Sequence, residues 1–135
     1  MEQLMWKVIE ESKAGKEYCH NEEQYQNLLK VLGQYDKATI KGIYEEWNKL
    51  YQSFSKSVEF NKLHWSKGGI VNAGDDGFYM DFGNWLVAQG ETLYKEFKER
   101  GHQAVLDYVK KHNLDESEYR YECMIYAFHQ FDALD

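Results

Sequence analysis

Ile40, Ile43, Tyr44, Trp47, Leu50, Tyr51 and Phe54 recur every three or four residues, and no proline interrupts them or any other part of the chain. That spacing puts all seven side chains on one stripe of an α-helix, and so wide an aromatic stripe has to be buried against other elements. Sandwiches and barrels ordinarily carry proline in their turns, so a chain of 135 residues with none favours helices. The expectation is an all-α fold: a single compact multi-helix bundle-like domain spanning 1–135, with about six to eight helices.

Other segments follow the same period. Leu4, Met5, Val8 and Ile9 make the stripe of a helix over 2–13, with Trp6 beside it and Gly15 after it. Asn21 with Gln24 three residues on reads as a capping box for a helix carrying Tyr25, Leu28, Leu29 and Leu32, which stops at Gly33. Asp36 is placed to cap the helix of the long stripe. A helix is expected from Phe60 to Val71, weakened at Gly68-Gly69. Asn72 to Gly77 is a turn, and it launches a helix with Phe78, Phe82, Trp85, Leu86 and Gln89 on one face. Gly90 and Gly101 bound a helix with Leu93, Tyr94 and Phe97, and Val105, Tyr108 and Val109 mark another to about Lys111. Asp115 with Glu118 suggests a second capping box, starting a last helix that runs to Ala133. Apolar residues on both of its faces point to a central, buried position, and an exposed binding stripe is the alternative. Gly42 and Gly83 fall inside helices, which suggests close packing at both.

Charge narrows the function classes. Residues 1–67 hold ten basic and ten acidic residues, whereas 68–135 hold six basic and thirteen acidic, so the net charge of −7 arises in the second half. A nucleic-acid binder shows the opposite balance. An acidic surface aids solubility and attracts a basic partner. Cys19 and Cys123 are far apart and make no zinc or redox spacing, as expected of reduced cytoplasmic thiols. No apolar run is long enough to cross a bilayer, and the opening Met1 to Trp6 does not read as a signal peptide. Neither a membrane nor a cofactor is therefore expected.

Candidate chemistry is sparse. Asp75, Asp76 and Asp81 cluster around the turn, and carboxylates serve both metals and glycoside hydrolysis. The ligand alternation of an EF-hand is missing, and helix capping by Asp75 or Asp76 explains the acids equally well. His20, His64, His102, His112 and His129 show no HExxH spacing; His112, near a helix end, would complement the dipole. There is no GxSxG, no GxGxxG and no phosphate loop.

Asp75 to Gly90 reads DDGFYMDFGNWLVAQG. This stretch resembles the signature of the bacterial family called domain of unknown function 4240, which has an acidic pair, Gly-Phe, Phe-Arg-x-Trp-Leu and then Gln-Gly. Met5 to Glu10 is similar to its opening Phe-Trp-x-x-Ile-Glu, and Leu63-His64-Trp65 stands near its Leu-Trp segment. The resemblance implies a small helical bacterial domain and no particular activity. The family has Arg where this chain has Gly83, so a role for that guanidinium does not carry over.

The leading functional expectation is a non-enzymatic protein-binding domain, most concretely an acidic cytoplasmic immunity-type protein that inhibits a cognate bacterial toxin. Asp75, Asp76, Asp81, Glu116, Glu118 and Glu122 would meet a basic toxin domain. The alternative is a small-ligand or enzymatic domain, with Asp75, Asp76 and His64 lining an aromatic pocket with Trp65 and Trp85. A regulatory or scaffolding module is the third.

Overall fold

The long stripe is a helix, α3 (Lys37–Ser55), and Ile40, Ile43, Trp47, Leu50 and Phe54 on it are buried. Asp36 caps it as its position predicts: the Asp36 carboxylate accepts from the Thr39 backbone N–H at 2.8 Å. The computed structural model describes residues 1–64, 77–114 and 124–131, apart from the side chains of 55, 61, 64 and 77–82. Every element of regular structure among the described residues is helical.

Before α3 come α1 (Glu2–Ser12) and α2 (Asn21–Leu32), which pack closely on each other. Trp6, beside the stripe, is buried in the core as well. The capping box expected at Asn21 is corrected. His20 precedes the first turn without a side-chain cap, and Asn21 is itself helical. The Gln24 amide turns inward instead, donating to Ala88 O at 2.7 Å and to Ser12 Oγ at 3.2 Å. A buried carbonyl needs a donor, and that amide contributes more there than at an exposed helix end.

After α3 the chain enters α4 (Val58–His64), two residues earlier than the periodicity suggests. Ser57 sets that start, its Oγ accepting from Phe60 N at 3.1 Å. Gly68-Gly69, Val71, the turn at 72–76 and the box at Asp115 and Glu118 lie outside the described residues. Then follow α5 (Gly77–Ala88), α6 (Glu91–Arg100) and α7 (His102–Lys111). Gly101 is the whole connection between α6 and α7. Its φ of 71° favours glycine, and the Glu59 carboxylate packs where a Cβ would sit.

The last helix differs from expectation. Its described part is a 3-10 helix (Ile125–Gln130) rather than an α-helix, and Phe131 after it is extended. Period three puts Ile125 and Phe128 over each other, and both are buried as the segment packs on α2 and α3. Tyr126 on the other side is exposed, so this segment is not buried all round.

The core runs between α3, α5 and the 3-10 helix. Trp47, Trp85 and Phe128 are fully buried, with the Trp47 and Phe128 rings edge-to-face at 5.5 Å. Burying each such ring contributes about 2–3 kcal/mol. Trp47 Nε1 donates to Asn84 Oδ1 at 2.9 Å, so the polar edge of the indole is satisfied inside the core. Gly83 on α5 faces Tyr51 so closely that a Cβ would lie 2.6 Å from the ring. The close packing expected there is real, and an arginine at 83 would have to displace that ring. At Gly42 the nearest atoms belong to the flexible end of Met1.

Candidate functional site

Asp75, Asp76, Glu116, Glu118, Glu122 and Trp65 are outside the described residues. Asp81 falls on α5 and His64 ends α4, with their side chains undescribed. Trp85 is described and is fully buried, 6.1 Å from the Tyr108 ring, so it is a core residue that lines no accessible surface.

A described concavity lies elsewhere. It is a groove of about 500 Å³ between the end of α1 and helices α6 and α7. Its floor is built on the last turn of α5. A helix leaves its final carbonyls without intrahelical donors, and a buried end needs donors from elsewhere. Here Lys13 Nζ donates to Gln89 O at 2.8 Å and Gln24 Nε2 to Ala88 O at 2.7 Å. Gln89 Nε2 donates to Trp85 O at 3.0 Å. Backbone N–H groups of Gln89 and Gly90 take Leu86 O and Val87 O. The carbonyls from 85 to 89 are thus all occupied. Tyr108 reaches in from α7, its hydroxyl donating to Gln89 Oε1 at 2.8 Å.

Lys13 is the unusual member, being a cation only 6 % exposed. Its charge complements the negative end of the α5 dipole. Burial pulls its ammonium below the ordinary lysine range, against the opposing pull of Glu10 and Glu17. Burial likewise pushes the Tyr108 phenol well above its ordinary value. Gly90, at φ 108°, admits the Glu10 carboxylate where a side chain would clash.

The rim is charged and mostly paired. Lys111 bonds Glu17 at 2.5 Å, Arg100 bonds Asp107, and Lys16 bonds Glu23 at 3.0 Å. His112 lies beside this rim, its Nε2 3.6 Å from Glu17 and its ring against Tyr18 and Tyr108. Burial lowers its pKa against the opposing pull of Glu17, and it caps the C-terminal end of α7 with its ring packed on the two tyrosines.

A second polar junction joins α4 to α7. Glu59 Oε2 accepts from the His102 backbone N–H at 2.9 Å and meets His102 Nδ1 at 2.7 Å. These bonds hold the Glu59 carboxyl at a pKa of about 2. Among the described residues no group of three or more His, Cys, Asp or Glu is arranged to hold a metal ion, and no helix is long and apolar enough to cross a membrane.

Periodicity alone did not find Lys13, Gln24, Tyr108 or Glu59 as partners. The one signal available was Gln89-Gly90, a polar residue and a glycine ending an apolar helix whose last carbonyls need donors. No family model, no curated protein and no solved structure matches this chain.

Proposed function

We propose that the chain is a non-enzymatic protein-binding domain, most concretely an acidic cytoplasmic immunity-type protein that inhibits a cognate bacterial toxin. The observation that supports this reading is the charge distribution: thirteen acidic against six basic residues in 68–135, with the earlier half balanced. A basic active site is occupied efficiently by such a surface, and long-range attraction speeds encounter. The partner-facing residues are Asp75, Asp76, Asp81, Glu116, Glu118 and Glu122. The fully buried Trp85 supports placing recognition on the surface rather than in an aromatic pocket. Membership in the domain of unknown function 4240 family, suggested by residues 75–90, is part of the same proposal.

The test is co-expression with the product of the adjacent gene. The expected outcome is a stable complex and relief of toxicity. Asp75→Lys, Asp76→Lys and Glu118→Lys together are expected to remove protection while leaving the helical circular dichroism unchanged. Undiminished protection by the triple variant refutes the surface, and a neighbour that neither harms the cell nor binds refutes the class.

A further inference from the structure

Lys13 is left with unused donors at the floor of the groove. An ammonium has three N–H groups. One goes to Gln89 O, and among the described residues Lys13 has no other hydrogen-bond acceptor and no carboxylate within ion-pair distance. A cation 94 % buried in that condition is costly unless an anion or water completes it. The carboxylates that might have served are engaged or held off. Glu17 is bonded to Lys111, Asp107 to Arg100 and Gln103, and Glu10 lies over Gly90. At the rim, Glu10 and Glu96 are exposed and form no ion pair among the described residues.

We propose that this groove binds a small zwitterion, a molecule with a carboxylate at one end and an ammonium at the other. The carboxylate accepts the two unused N–H groups of Lys13 on the floor. The ammonium faces Glu10 and Glu96 at the rim. A groove of about 500 Å³ accommodates a free amino acid, and a mostly preformed pocket with a few convergent polar groups is the usual form of such sites. The arrangement selects against simple anions, which the rim carboxylates repel, and against simple cations, which Lys13 repels. The site is independent of the protein-binding surface proposed above and stands without it. Binding also has a signature in the ammonium itself: an anion against Lys13 reverses the effect of burial and raises its pKa.

The experiment is a titration of the isotope-labelled full chain, followed by NMR at Lys13, Thr92 and Tyr108. The probes are L-alanine, L-glutamine and L-phenylalanine, with acetate and methylammonium as single-charge controls. At least one amino acid is expected to give saturable shifts confined to the groove, with affinity tenfold or more above either control. Lys13→Met is expected to abolish those shifts. If that variant fails to fold, the rim pair Glu10→Gln with Glu96→Gln replaces it, and is expected to reduce amino-acid affinity to that of acetate. No saturable groove shift with any amino acid overturns the proposal. So does equal binding of acetate and the amino acids, or amino-acid affinity unchanged in a folded Lys13→Met or in the rim variant.

Discussion

Lys13, just past the end of α1, and Gln89, just past the end of α5, are 76 residues apart in sequence and joined by an Nζ–H···O=C bond of 2.8 Å. With Gln24 from α2 on the neighbouring carbonyl, two separate helices close the end of a third. The junction ties α5 to the α1 and α2 pair, and it forms the floor of the groove.

The Gln24 arm of this junction can be tested without altering charge. Gln24→Leu keeps the volume and leaves Ala88 O buried without its side-chain donor. The expected loss is about 1–3 kcal/mol, the cost of an unsatisfied buried polar group. Urea denaturation measures it, and an unchanged midpoint would mean that Ala88 O finds another donor.

At Gly83 two effects compete. Alanine is favoured over glycine inside a helix by about 1 kcal/mol. Against that, the new methyl would lie 2.6 Å from the Tyr51 ring, and forcing such a contact costs about 1–3 kcal/mol. The clash wins, so Gly83→Ala is expected to lower the melting temperature. Tyr51→Leu in the same chain is expected to restore part of the loss, because it removes the ring that the methyl strikes.

Glu59 makes stability depend on acid. Its carboxyl has a pKa of about 2 in the fold against the ordinary 4.5, so the unfolded chain binds the proton more tightly. Its contribution is therefore full above about pH 5 and is lost as pH falls toward 2. The side chain is 36 % exposed, so solvent screening reduces the contribution to about 1 kcal/mol. Glu59→Gln is expected to lower stability by that amount at pH 7 and to flatten the decline between pH 5 and pH 2. Parallel stability curves for the two proteins would contradict this origin.

The cap of α3 gives a simpler expectation. Asp36→Ala removes the acceptor for Thr39 N and is expected to cost about 1 kcal/mol, measured by thermal unfolding.

What the sequence disclosed follows from the range of the interactions involved. α3 was readable because Ile40 to Phe54 repeat at helical spacing and Asp36 caps three residues from its acceptor. Both are local signals. The bounds of α6 and α7 were readable because Gly90 and Gly101 have positive φ, which glycine supplies at little cost. Gln24 misled because its local pattern matched a capping box while its true acceptor, Ala88 O, is 64 residues away. The 3-10 geometry at Ile125–Gln130 was hidden because residues spaced three apart fit either helix type, and packing on α2 and α3 decides between them. The groove was hidden for the same reason as Gln24: Lys13, Gln89 and Tyr108 are ordinary residue types brought together only by the fold.

Hydrogen exchange at the end of α5 tests the account most directly. If side chains from α1, α2 and α7 seal that end around a filled aromatic core, the amides of Asn84 to Ala88 exchange only when the whole molecule unfolds. Their opening free energy then equals the global stability from denaturation. Rapid exchange there, at rates like those of the chain termini, would show that α5 is not the sealed centre of the fold.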